Sequence, residues 1–274
     1  MEGNTLERQR QAARLGVRSA AGVYREAIKQ RFPSVHVDIV HAAEPGDVLP
    51  RGASLGDYDG LVVSGSALHA YDRVPEVTRQ IDLLRSFADT GKPILGSCWG
   101  LQLAVIAAGG DVSLNPDGRE IVFARKITLN AMGRAHPMFD GKPTTFDAPC
   151  IHYDEVTVLP SGARVLCSNY HSEVQAAIMP LGKSEVWAVQ YHPEFDLRQI
   201  HDMVAVYGDA MIEDGFFEDA EARSAYQDKL LRLAEDPGNR ALAWQLGVGE
   251  ELLDDGVRGA EIGNWISCCV LARP

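Results

Sequence analysis

Gly96-Ser97-Cys98-Trp99-Gly100-Leu101-Gln102 decides how this chain of 274 residues is read. It sets one cysteine between two glycines where an apolar strand turns into a helix. The run before it, Pro93-Ile94-Leu95, is short and apolar, as a buried strand is. The run after it, Leu101 to Ala108, is rich in helix formers and stops at Gly109-Gly110. A strand ending in Gly-x-nucleophile-x-Gly turns sharply and lifts the side chain above the sheet, with backbone N–H groups beside it to hold an oxyanion. The positive end of the following helix favours thiolate over thiol. A lone cysteine reads as a small core residue. The glycines and the strand-to-helix setting turn the reading of Cys98 towards a nucleophile.

A thiol nucleophile needs a base. In Trp187-Ala188-Val189-Gln190-Tyr191-His192-Pro193-Glu194 an apolar strand runs into His-Pro-Glu. Proline stiffens the backbone between imidazole and carboxylate, so Glu194 can hold the ring in one tautomer while His192 faces the thiol, the nucleophile–base–orienter logic of acyl transfer. By itself the tripeptide reads as a surface turn more often than as a site; it gains meaning from the cysteine elbow 94 positions earlier.

These segments resemble a class I, triad-type glutamine amidotransferase, close to the free-standing relatives of the GMP synthase glutaminase domain. The resemblance runs over roughly residues 15 to 200 and adds a third segment, Leu61-Val62-Val63 followed by Ser64-Gly65-Ser66. It implies a doubly wound, mostly parallel sheet with helices on both faces, in the flavodoxin-like manner. It implies that Gly65 and Ser66 border the oxyanion hole with the N–H of Trp99 as second donor. It also implies that Gln102 and the segment His152, Tyr153, Asp154 bind the substrate. The chemistry implied is attack of Cys98 on the γ-carbonyl of glutamine, protonation of the departing ammonia by His192, and hydrolysis of a γ-glutamyl thioester.

Strand-like and helix-like runs alternate, which independently points to a parallel α/β sheet. Ala20 to Phe32, Glu76 to Ala88, Ile200 to Glu213 and Ala220 to Ala234 read as helices, and Val35 to Val40 as a strand. From Asp111 to Val156 short runs, Ile121 to Ala124 and Lys126 to Leu129 among them, suggest a partly antiparallel extension, continued by Val165 to Cys167 and Val174 to Ile178. The division predicted is an amidotransferase-like domain over 1–197 and a helical extension over 198–274, with Trp244 and Trp265 buried where its helices dock. The family opens on an apolar central strand, whereas Met1-Glu2-Gly3-Asn4-Thr5-Leu6 reads as the loop after one. The expectation is therefore that the first strand is missing from these residues, the alternative being a natural variant with a shorter sheet.

A formal charge of −12 gives no basic face for phosphates and argues against a nucleic-acid partner. Five cysteines, at 98, 150, 167, 268 and 269, make no disulfide framework or CxxC pair, which suits a reducing cytoplasm. Histidines 69, 152 and 171 lack the spacing of a metal site. No cofactor and no membrane segment are expected. Three functions stay open: a glutaminase feeding ammonia to an unknown acceptor or a synthetase in trans, a hydrolase of γ-glutamyl peptides or conjugates with the same triad, and a non-catalytic protein on this scaffold.

Overall fold

The computed structural model describes residues 1–272. Two helices, α1 (Leu6–Arg14) and α2 (Ala20–Arg31), precede strand β1 (Leu61–Val63), helix α3 (Pro75–Ala88), strand β2 (Ile94–Ser97) and helix α4 (Trp99–Ala107). Next come β3 (Asp111–Leu114), β4 (Glu120–Leu129), the short α5 (Ala131–Ala135), β5 (Thr145–His152), β6 (Asp154–Val158), β7 (Arg164–Ser168), β8 (Ala176–Leu181) and β9 (Ser184–Val189). The C-terminal part is helical: α6 (Leu197–Glu213), α7 (Ala220–Glu235), α8 (Arg240–Leu246), α9 (Glu250–Leu253), α10 (Asp255–Arg258) and α11 (Ala260–Trp265), ending in a π-helical turn over Ile266–Val270.

Seven strands form one sheet in the order β1-β2-β9-β8-β7-β4-β5. The pairs β1–β2 and β2–β9 are parallel, and from β9 outward the pairing is antiparallel. β3 and β6 make a separate antiparallel ribbon. In the parallel part the side chains alternate between two cores, as the period of two requires. Ile94, Val186 and Ala188 face one core with Leu84 and Phe87 of α3 and Leu101 of α4. Leu95, Trp187 and Val189 face the other with Tyr24 and Ile28 of α2 and Ile262 and Trp265 of α11. Both faces are thus covered by helices, which is why β2 reads as an unbroken buried run. The likeness to a doubly wound α/β fold holds, with the antiparallel extension the turn-rich middle suggested.

The C-terminal helices pack in two places. Leu197, Ile200 and Val204 of α6 and Leu230 and Leu233 of α7 cover Val122 and Phe123 of β4, while α11 lies on the second core. Trp265 is buried as expected, but Trp244 is 84% exposed. The correction has a simple cause: Leu242 and Leu246, four apart on α8, take the inward face, and a residue two positions from each points away.

Three other departures are structural. The runs 121–124 and 126–129 are one strand, β4, with a register irregularity between Ala124 and Ile127. There Lys126 takes a φ of 54° and Asp147 accepts the Lys126 N–H at 2.8 Å. Residues 6–14, of which only Leu6 belonged to the stretch read as loop, form α1; the helix buries no side chain, so it carries no apolar signal, and its start is capped by Thr5. Val35 to Val40 is not a strand. It lies across a cavity of about 510 Å³ from β1, lined also by Tyr24, Leu83 and Trp265. Met1 and Glu2 bridge that gap: the Met1 ammonium donates to Val62 O at 2.5 Å, Ser64 N–H to Met1 O at 3.1 Å, and Glu2 N–H to Val40 O at 2.9 Å.

Candidate active site

Cys98 sits at the N-cap of α4 with φ 51° and ψ −103°, a strained conformation for a side-chain-bearing residue, of order 1–3 kcal/mol. Its N–H donates to Val189 O at 2.8 Å, which ties the elbow to β9. The two flanking glycines are needed for close approach. A Cβ on Gly96 would lie 2.6 Å from Gly100 C, and one on Gly100 would lie 2.5 Å from Val63 O. Helix α4 therefore leaves the sheet at a distance only glycine permits, and the cysteine is carried to the rim of the parallel strands.

His192 lies just past β9, its N–H held by Pro149 O at 2.8 Å. Nδ1 pairs with Glu194 Oε1 at 2.8 Å, and Nε2 is buried with no hydrogen bond of its own. Phe195 stacks flat on the ring, with centroids 4.2 Å apart and planes 10° apart. Gly65 meets the Cε1 edge: a Cβ there would be 2.8 Å from Cε1 and 3.7 and 3.8 Å from the two nitrogens. Burial works against charge on His192, but the Glu194 carboxylate and the Cys98 thiol outweigh it, and its pKa is pushed up to about 10. Glu194 Oε1 also accepts from Ser97 Oγ at 3.3 Å. The Cys98 thiol points at Ile151 O, 3.3 Å away.

The remaining predicted residues converge on the same cavity, of about 450 Å³, with Cys98, His192, Gly65, Ser66, Gln102 and the segment 151–154 in its lining. Trp99 contributes its backbone: its N–H is at the first position of α4, where no intrahelical acceptor exists. Its indole is buried and donates to Gln80 Oε1 at 3.0 Å. The Ser66 hydroxyl is turned locally, accepting from Leu68 N–H at 3.2 Å. Gln102 Nε2 donates to Asp154 O at 3.2 Å.

His152 has both ring nitrogens engaged, with Glu120 Oε2 at 2.8 Å and Asp154 O at 3.0 Å. It shapes the segment rather than reaching into it. Burial raises Glu120, but hydrogen bonds from His152, Asn169 and Gln175 more than offset that and hold it below the usual carboxylate range. Asp154 meets His69 Nδ1 at 2.7 Å and accepts from the Tyr71 hydroxyl at 3.3 Å. Burial first, then Asp154, pushes the Tyr71 phenol up to about 12.

Sequence reading missed Ser97 behind Glu194, Phe195 against His192, and Arg119. Arg119 lines the cavity between two rings, 4.4 Å from the Tyr153 centroid and 6.0 Å from that of Tyr207. Phe195, three residues from the base, was the one with a local signal. The roof, built from α1, the first turns of α2 and α6, had none, because those segments come from opposite ends of the chain.

Residues 21–207 match the model of the family described as glutamine amidotransferase class-I. The chain belongs to that family. The matched stretch ends inside α6, so α7 to α11 lie beyond it. This class I amidotransferase is 35% identical over 221 residues to a gamma-glutamyl-L-1-hydroxyisopropylamide hydrolase from a Pseudomonas species, covering 79% of this chain and 74% of that one. It is 27% identical over 175 residues to gamma-glutamyl peptidase 4 of Arabidopsis thaliana, covering 63% and 68%. Against the glutamine-hydrolysing GMP synthase of Neisseria meningitidis serogroup C it is 30% identical over 135 residues, but this spans 49% of the chain and 24% of the synthase. In fold it is similar to a glutamine amidotransferase crystal structure from Methylobacillus flagellatus, with a TM-score of 0.57, 21% identity and coverage of 80% of both chains. Among the described residues, no helix is long and apolar enough to cross a membrane.

Proposed function

We propose that this protein hydrolyses γ-glutamyl amides through a thioester on Cys98, with glutamine as the smallest member of its substrate class. The observation that carries the reading is the cavity beside His192. Val23, Phe195 and Met203 line it together with the thiol, Phe195 lies flat against the imidazole, and its volume of about 450 Å³ supports an amine larger than ammonia. The two hydrolytic relatives above support the same choice, each matched over two thirds or more of its length.

The reading implies the following steps. One proton is shared by Cys98 and His192; held on the imidazole, which Glu194 favours, it leaves sulfur as the nucleophile. Sulfur bonds to the γ-carbonyl carbon and the carbonyl electron pair moves to oxygen, where the N–H groups of Trp99 and Gly65 receive it. As the C–N bond breaks, His192 Nε2 gives its proton to the departing amine. Water then attacks the thioester, losing a proton to the same nitrogen, and the C–S bond breaks to release glutamate.

A second reading, a glutaminase serving a synthetase in trans, rests on the GMP synthase relatives. Amine release from a γ-glutamyl alkylamide and a γ-glutamyl dipeptide, compared with ammonia release from glutamine, tests the choice. The expected result is higher kcat/KM for a substituted amide and none for Cys98→Ala. Turnover of glutamine alone, rising when a synthetase is added, would overturn the reading.

A further inference from the structure

Strand β9 stops at Val189, yet the base stands three residues further on. Two backbone bonds hold the stretch between: Gln190 N–H donates to Gln175 O and His192 N–H to Pro149 O, each at 2.8 Å. Side chains alternate along it as they do along a strand. Gln190 Oε1 accepts from Gln102 Nε2 at 3.4 Å, and Gln102 and His192 both line the cavity. Tyr191 turns the other way, into the second core, where its ring stands T-shaped to Phe146 with centroids 5.8 Å apart.

In that core the phenol meets a carboxylate from the C-terminal helices. Tyr191 Oη donates to Glu261 Oε1 of α11 at 2.5 Å. The same oxygen takes Lys142 Nζ at 2.9 Å, and Lys142 also donates to Val257 O and Arg258 O, the last carbonyls of α10, at 3.1 and 3.3 Å. All three side chains are buried. Burial, then Glu261, pushes the Tyr191 phenol well above its ordinary range, so it keeps its proton and is the donor.

An apolar trio of similar volume would serve a core as well as this ion pair or better, because two charges leave water to form it. What the charges add is direction. A phenol bonded to a carboxylate that a cation pins in turn is held in one place, whereas a phenyl ring there is held by contact alone. The residue so held is the chain neighbour of His192. The other groups that hold the base, Pro149, Glu194 and Phe195, belong to the stretch matched by the family model; Glu261 lies beyond it.

We infer that Glu261 is a positioning residue for the reaction: through the Tyr191 phenol it fixes the segment that carries His192, so that the C-terminal helices complete the active site from behind. The inference rests on His192 serving Cys98 as its proton carrier.

The experiment measures kcat and KM for amine release, the rate of Cys98 alkylation by iodoacetamide at neutral pH, and Tm. The variants are His192→Ala, Tyr191→Phe, Glu261→Gln and the last two combined. An apolar set, Lys142→Met with Glu261→Leu and Tyr191→Phe, removes the ion pair without stranding a charge and so keeps the fold. A 1 Å displacement of a catalytic group costs about 100-fold and a loosened segment moves less, so Tyr191→Phe and the apolar set lose roughly 10-fold in kcat with KM within about two-fold. Glu261→Gln still offers the phenol an acceptor and loses only part of this. The combined variant is no slower than Tyr191→Phe, since both act through one bond. Ile262→Ala, a buried neighbour on α11, lowers Tm and leaves kcat at the wild-type value. Alkylation slows in Tyr191→Phe towards the His192→Ala rate; it needs no turnover, so it decides the matter even if no γ-glutamyl amide is hydrolysed. Wild-type kcat and alkylation in a folded Tyr191→Phe or apolar set would overturn the inference. So would losses of kcat that track Tm across all variants, Ile262→Ala included, because packing alone gives that. Unchanged alkylation in His192→Ala marks a different failure: the role of His192 falls first, and the inference with it.

Discussion

Gly65→Ala tests the catalytic geometry with a single methyl group. The backbone of Gly65 is outside the left-handed region, so alanine is admissible there. The added Cβ would lie 2.8 Å from His192 Cε1, whereas ordinary van der Waals contact begins at 3.4 Å. The push comes at the ring edge, in the plane of the imidazole, so the ring must retreat by about 0.6 Å and carry both nitrogens with it. Nδ1 then strains its 2.8 Å bond to Glu194, and Nε2 moves with the ring. A displacement near 1 Å of a catalytic group costs about 100-fold in rate, so a loss of 10- to 100-fold in kcat is expected, about 1.4–2.7 kcal/mol in the barrier. The Gly65 N–H survives the change, so oxyanion binding is not the cause. The assay is kcat for amine release, beside the rate of Cys98 alkylation by iodoacetamide as a probe of the thiol and circular dichroism as a check on the fold. Wild-type kcat in a folded Gly65→Ala enzyme would refute the placement of His192 as the proton donor.

Other changes probe separate parts of the molecule. Wild-type His192 keeps its proton until pH rises through about 10; in Glu194→Gln the alkaline limb of kcat is expected to fall towards the ordinary histidine value near 6.5, leaving residual activity at pH 6 and little at pH 9. By the same linkage the stability contributed by the His192–Glu194 pair is full below pH 6.5 and lost as pH rises to about 10, which denaturant midpoints at pH 6 and 10 would show. Lys142 and Glu261 form a buried ion pair at 2.9 Å, with side chains 2% and 0% exposed. Lys142→Met strands the carboxylate and should cost about 3–5 kcal/mol, a fall in Tm on the order of 10 °C. Trp265→Ala should cost about 3–5 kcal/mol and Trp244→Ser less than about 0.5 kcal/mol in the same unfolding experiment.

The elbow and the base were legible because each is a local device. Gly96 to Gln102 and Tyr191 to Glu194 announce themselves through residues a few positions apart, and the strands that deliver them, β2 and β9, are short enough to read as buried runs. The Val35 to Val40 misreading shows the limit of that logic. Its alternation suits a strand, but a strand exists only where a partner offers a ladder, and here the space towards β1 holds a cavity and the first residues of the chain. Trp244 shows the same limit from the other side, since its apolar character predicts burial and its phase on α8 forbids it.

What the sequence determined by itself was the α/β architecture and the candidates for nucleophile, base and orienter, because these follow from periodicity and from glycine and proline at fixed short spacings. What only the tertiary structure decided was the shape of the cavity and the cation inside it. Arg119, the polar helix α1 and the inner face of α6 carry no signal of their own. They become a site because β4, the N-terminus and the C-terminal helices, separated by up to 200 positions, are folded against one another, and contacts of that range are set by packing rather than by any local pattern of residues.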